Sequence, residues 1–407
     1  MTPTEQIEAI AFDADLSVTE KSERINGLLA HAGSQGVSLA VECLMDVTDV
    51  GLAEYLTSYL ELVPDSAADK VRAAERLRGS GAPVQAAARL VPWFPESLAD
   101  AFVRDYLAAA DPQSPLASVV FSLAVHHPDR VRPHADRIDI DVVRPALLSG
   151  APDELADALL DRWREERDLD DLQALALIRT PHAADLITSV RDDVDDPEDW
   201  EWLMPLAGRL PDTGASAGYG PALMGFVADK GAGPHIMGGE HADDVPLCAR
   251  CRTPAERVLS LSAAALPQKL TADPSFFWFT CDCDEVDVLT VGFTPDRTHV
   301  YFSPQGPAAG TARLVPGGER SMVLEQQPNQ VGVSMPAIPG RSQHQVGGLP
   351  RWPSPETHPI CPECGNFMPF LAAMDSGPTV FGPMGFEGLL FGFWCDSCSV
   401  STTRIQY

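Results

Sequence analysis

The sequence predicts a multidomain α+β protein: an N-terminal α-helical solenoid of the HEAT-like kind, then a duplicated β-rich module that binds zinc. Three observations predict it. Residues 1–210 carry apolar side chains at helical spacing between regularly placed prolines. Beyond 211 the chain turns to glycine, proline and short aromatic or β-branched runs. Two CxxC pairs, Cys361/Cys364 and Cys395/Cys398, stand thirty residues apart near its end.

The 407 residues suffice for two or three domains with a sizeable core, and 45% apolar content is that of a globular chain. MTPTEQIEAIAFDAD lacks the basic start and apolar run of a secretory leader, and no stretch of eighteen apolar residues occurs. A soluble, cytoplasmic protein with reduced cysteines is expected. The net charge of −29 argues against nucleic acid and anionic membrane as partners, since both require a basic footprint. Asp and Glu outnumber Lys and Arg by 39 to 18 up to residue 210 and by 19 to 11 beyond it. The acidity therefore belongs mostly to the helical half, where it suits a basic partner or plain solubility.

That half opens with Thr2-Pro3-Thr4-Glu5, an N-cap, a first-turn proline and a capping-box glutamate, and Ser17-Val18-Thr19-Glu20 repeats the device. Leu52, Tyr55, Leu56, Tyr59, Leu60 and Val63 form one apolar stripe, ended by Pro64; Leu98, Phe102 and Tyr106 form a second; Leu155, Leu159, Leu160 and Trp163 form a third. The third has acids at its start and arginines at its end, as the helix dipole favours. Cys43, within VSLAVECLMDV, reads as an inert buried thiol. Prolines at 64, 95, 128, 152 and 181 recur every 24 to 33 residues, close to the length of one helical hairpin in a solenoid. An irregular helical domain is the alternative. The acidic run Asp192 to Asp199 reads as a solvated loop, because its carboxylates do not follow the EF-hand order.

A domain boundary falls near 211, giving a helical domain over 1–210 and β modules over 211–302 and 303–407. Gly214-Ala215-Ser216-Ala217-Gly218 fits G-x-S-x-G, but no apolar strand leads into it, as a nucleophile elbow requires. HIMGG (235–239), CARC (248–251) and FFWFTCDC (276–283) recur in the same order as HQVGG (344–348), CPEC (361–364) and LFGFWCDSC (390–398), with 29 and 30 residues between the cysteine pairs. Matched blocks at matched separations indicate an internal duplication of roughly 110 residues.

Each copy then offers four thiolates, the tetrahedral set of structural zinc: Cys248, Cys251, Cys281 and Cys283 in the first, Cys361, Cys364, Cys395 and Cys398 in the second. Two zinc ions per chain are expected. Disulfides or a reactive dithiol are the alternative, and pairing within or between copies is left open. Gly365, directly after the CPEC pair, suits a knuckle in which φ must be positive; Arg252 holds that place in the first copy. FFWFT, VDVLTVGF, THVYF and SMVLEQ read as short antiparallel strands, and 303–355 includes a long loop. His235 and His344 head the two GG blocks and read as hydrogen-bonded structural residues, because four thiolates already close a tetrahedral shell.

Gly347-Gly348-Leu349-Pro350-x-Trp352, Cys361-Pro362-x-Cys364-Gly365, Met368-Pro369-Phe370-Leu371 and Phe393-Trp394-Cys395-x-x-Cys398 resemble the YwqG-like bacterial proteins. More distantly they are similar to the eukaryotic programmed cell death protein 2 family. The resemblance covers residues 235–407 and leaves the helical half outside it. It implies a duplicated, zinc-bearing β module, and the eukaryotic relatives escort a newly made ribosomal protein. The chain departs from the usual F-L-x-Q-x-D at Ala373.

The function expected is that of a non-enzymatic, zinc-stabilised protein-binding scaffold, an escort or an immunity-type inhibitor of a basic protein. An enzyme using a cleft between the helical and β halves is the alternative. Neither HExxH, nor a P-loop, nor a catalytic triad is recognisable, and closed Cys₄ sites leave no position for water.

Overall fold

The computed structural model describes residues 2–79, 81, 83–109, 111–138, 143–212, 222–239, 245–248, 251–279, 288–294, 298–302, 318–326, 344–350, 358–377, 379–382, 384, 386 and 388–406. Helices fill the first half: α1 (Pro3–Ala11), α2 (Val18–His31), α3 (Ser34–Met45), α4 (Val50–Leu62), α5 (Ala67–Leu77), α6 (Glu96–Ala109), α7 (Ala117–His126), α8 (Pro128–Val131), α9 (Arg144–Leu148), α10 (Asp153–Glu166), α11 (Leu169–Ile178), α12 (Pro181–Ser189) and α13 (Pro197–Leu206). Among the described residues none is long and apolar enough to cross a membrane.

Local chemistry sets these boundaries. Thr2 and Ser17 each accept the backbone N–H of the glutamate three residues on, whose carboxylate returns to the cap, so both capping boxes form. Leu52, Leu56, Tyr59 and Leu60 are buried along α4, and Leu98, Phe102 and Tyr106 along α6. On α10, Leu159, Leu160 and Trp163 are buried while Leu155 stays 38% exposed, so the stripe begins one turn later than its spacing suggests. Cys43 is half-buried, its thiol 3.8 Å from Thr4 Oγ1. The acidic run divides: Asp192 and Asp193 lie in a short 3₁₀ turn, whereas Asp196 caps α13 and Glu198 and Asp199 occupy its first turn, where the dipole favours carboxylates.

Strands follow: β1 (Leu223–Ala228), β2 (His235–Met237), β3 (Glu256–Ser260), β4 (Ser275–Trp278), β5 (Val288–Phe293), β6 (Thr298–Phe302), β7 (Arg320–Gln326), β8 (His344–Val346), β9 (Phe370–Asp375), β10 (Leu389–Cys395) and β11 (Val400–Gln406). They form one antiparallel sheet in the order β4-β3-β2-β7-β1-β8-β9-β10-β11-β5-β6. Inside it β1 pairs with β7, with Phe226 opposite Val323. On either side, β7 takes β2 with Met322 opposite His235, and β1 takes β8 with Gly225 opposite His344. Further out, the β3–β4 pairing skips Val258 and the β9–β10 pairing skips Leu371. The sheet curls so that Phe276 of β4 lies over Gly392 of β10, where a Cβ would stand 2.8 Å from its ring.

The change from helix to strand and the division into compact units fall at different places. Residues up to Leu147 form the body of one unit, and the other begins at Leu148, so α10 to α13 belong with the sheet. In that second unit Leu159, Leu160, Trp163, Leu175, Ile178, Ile187 and Leu203 share one core with Cys361, Met368, Phe370, Phe391, Phe393, Cys395 and Val400. Phe391 and Phe393 are fully buried there, each contributing about 1.5–3 kcal/mol by removal from water. The helix layer thus packs on the sheet face that carries two cysteines.

Candidate metal centre

Cys361 opens a tight reversal ahead of β9. Its N–H donates to the Asn366 carbonyl (2.8 Å), the Gly365 N–H donates back to the Cys361 carbonyl (2.9 Å), and the Met368 N–H donates to that of Pro359 (2.7 Å). Gly365 takes φ +75°, which a glycine adopts without penalty. The second pair lies on the β10–β11 hairpin: Cys395 ends β10, and the Cys398 N–H donates to the Cys395 carbonyl (3.3 Å). Two separate turns therefore aim their thiols at one point.

The four sulfurs of Cys361, Cys364, Cys395 and Cys398 all lie within 4.8 Å of one another, and those of Cys364 and Cys395 are 3.8 Å apart. A tetrahedron with metal–sulfur bonds of 2.3 Å has edges of about 3.8 Å. The cluster can hold a metal ion, and all four of its thiols come from residues 361–398. Cys361 and Cys395 are buried in the core, while Cys364 is exposed and Cys398 half-buried. Burial pushes the Cys361 thiol up to about 12, whereas the Asn366 backbone N–H lowers Cys364. Four crowded thiolates repel one another, and a divalent cation offsets that cost.

Neighbouring groups brace the site. Asp396, between the closing cysteines, accepts the Trp394 indole N–H (3.0 Å) and the Thr271 backbone N–H (2.8 Å). Tyr301 of β6 donates its hydroxyl to Glu363, inside the CPEC turn. Burial, then Glu363 and the nearby sulfurs, push that phenol up to about 12, so it stays a donor. Neither residue is marked in the sequence: Tyr301 lies 62 positions from its partner.

Of the first set of cysteines, Cys281 and Cys283 lie outside the described residues, as does Gly214 to Gly218. Cys248 and Cys251 form a second knuckle. The Cys248 N–H donates to the Thr253 carbonyl (2.9 Å), the Arg252 N–H to that of Cys248 (3.0 Å), and the Ala255 N–H to that of Pro246 (2.8 Å). His235 and His344 occupy matching places as well. Nδ1 of His235 accepts the Ser262 N–H (3.0 Å) and Nδ1 of His344 accepts the Asp375 N–H (3.3 Å), which puts the ring proton on Nε2 in each.

Helix layer, curled antiparallel sheet and four-thiol cluster together define a helical and β-sheet protein with a cysteine cluster that can hold a metal ion. A stretch of 62 residues is 39% identical to the uncharacterized protein YpfL of Salmonella typhimurium (strain LT2), covering 15% of this chain and 14% of that protein. The chain therefore matches about a seventh of that relative's length. No family model and no solved structure matches it.

Proposed function

We propose that this chain is a protein-binding scaffold for a basic partner, an escort or an immunity-type inhibitor, whose C-terminal module is stapled by zinc. The observation that carries the reading is the cluster of four thiols, two of them on residues buried in the core. Four protein thiolates saturate a tetrahedral zinc ion and leave no position for a reacting water, so such an ion stabilises surfaces instead of transforming substrates. The excess of acids over bases, concentrated in the helical half, supports a basic partner through electrostatic complementarity. A HEAT-like stacking of helices, an architecture that offers extended binding faces, is part of this reading.

The proposal includes a duplicated module, with residues 211–302 as one copy and 303–407 as the other. The order of eight of the eleven strands supports this, β4-β3-β2-β7 mirroring β10-β9-β8-β1 about the Phe226/Val323 pair, with β11, β5 and β6 continuing on one side alone. The equivalent skipped residues, histidines and knuckles support it as well. The test is capture by the tagged full-length chain from its own cells, eluted by rising salt. A stoichiometric basic protein that salt releases agrees with the proposal; recovery of none overturns it.

A further inference from the structure

We propose that the four-thiol cluster is an oxidation-sensitive clasp, in which a hydroperoxide links exposed Cys364 to buried Cys395 as a disulfide and the metal ion is released. The inference rests on the zinc staple proposed above and adds its regulation. It begins with unequal access. Cys361 and Cys395 are buried and Cys398 is half-buried, whereas Cys364 is exposed, in a turn whose residues from Pro362 to Asn366 are all exposed. A dissolved oxidant therefore meets one sulfur of the four first, and cysteine oxidation follows thiolate character and exposure. Distance then selects the partner. The Cys395 sulfur stands 3.8 Å from that of Cys364, across 31 residues of sequence. A disulfide is about 2.05 Å long, so less than about 2 Å of sulfur movement closes it. Cys395 ends β10 within the core, and the exposed turn around Cys364 is the side with room to move.

The chemistry balances with hydrogen peroxide as the oxidant. The Cys364 thiolate attacks one peroxide oxygen; an S–O bond forms, the O–O bond breaks, and the departing hydroxide takes a proton from solvent to become water. The Cys395 thiolate then attacks the Cys364 sulfur, the S–S bond forms as the S–O bond breaks, and the second hydroxide leaves as water in the same way. The two sulfurs have lost two electrons and the peroxide has gained them. Cys361 and Cys398 remain as thiolates, half of the set that structural zinc takes, and two such ligands no longer retain the ion. A thiol reductant reverses the link by exchange and restores the four-thiol set.

The test uses the full-length chain purified without chelator, its zinc content measured first. Hydrogen peroxide is then added, free zinc is followed with a chromogenic chelator, and non-reduced peptides are mapped by mass spectrometry. The expected result is one zinc ion released for each peptide pair joined through Cys364 and Cys395, with dithiothreitol and added zinc returning both to the starting state. A first link between Cys361 and Cys364, or oxidation of Cys364 to sulfinic or sulfonic acid with no link, overturns the proposal. Zinc present at the outset and retained with Cys364 unmodified also overturns it, and leaves the staple standing. A chain that holds no zinc at the outset removes the staple and this inference together.

Discussion

Asp396 holds Thr271 across 125 residues of sequence: its carboxylate accepts the Thr271 N–H at 2.8 and 3.1 Å, and its carbonyl accepts the Thr271 hydroxyl at 3.2 Å. The knuckle that closes β10 is thereby tied to the loop before β4. Asp396→Ala removes these carboxylate bonds and the one from the Trp394 indole, and should cost about 1–3 kcal/mol. Urea unfolding followed by Trp fluorescence measures it, and a midpoint equal to that of the parent chain would refute the tie.

Cys361→Ser should be far more damaging. The side chain is fully buried, and structural zinc typically contributes roughly 10 kcal/mol or more, comparable with a domain's whole net stability. Loss of one zinc ion together with collapse of the strand signal in circular dichroism is expected. A variant that keeps its sheet and its metal would show that the ligand set is wrong.

Two glycines should respond in opposite directions. Gly348 sits at φ +65°, and a Cβ there would come within 2.5 Å of the Ala222 Cβ and 2.9 Å of its Cα, so Gly348→Ala combines strain with overlap and should destabilise by about 2–4 kcal/mol. Gly27, inside α2, has nothing within 4 Å of its missing Cβ, and Gly27→Ala should stabilise by about 0.5–1 kcal/mol. Thermal unfolding of the two variants checks both signs.

His358 makes acid stability a sensitive readout of the core around the cysteine cluster. Burial holds its pKa down to about 4, and its Nδ1–H donates to the Met368 carbonyl at 2.7 Å. The unfolded chain takes up the proton near pH 6.5 while the folded chain refuses it. The stability His358 contributes is therefore complete above about pH 6.5 and is lost as pH falls toward 4, by at most about 3 kcal/mol over that window. His358→Asn keeps a donor for Met368 but does not titrate. Its denaturation midpoint should fall less steeply than the parent's between pH 7.5 and 5.5, and parallel curves would sink the argument.

Much of this was legible in local sequence, because local chemistry decides it. Thr2 and Ser17 announce their helices through side chains that reach only three residues. Gly365 announces a positive φ because its neighbours are cysteines at metal spacing. An apolar stripe reveals that a face is buried and not what it is buried against. The helices α10 to α13, whose stripes look like those of α1 to α9, therefore give no sign that they share a core with β9 to β11. Tyr301 and Glu363, like Asp396 and Thr271, meet only through the curl of the sheet. Arg252 conceals its turn outright, since arginine is an unlikely residue to occupy a left-handed position.

The interior position of β1, between β7 and β8, has a consequence for synthesis. Its neighbours β7 and β8 begin at Arg320 and His344, so LMGFVA leaves the ribosome roughly a hundred residues before either of them exists. At 5–20 residues per second, an apolar segment with both edges open waits roughly 5–20 seconds for its first partner. Such long-range pairing is slow and exposed to aggregation. The module can close only when nearly all of it has been translated, so a nascent chain truncated before β8 carries a segment that other chains can capture.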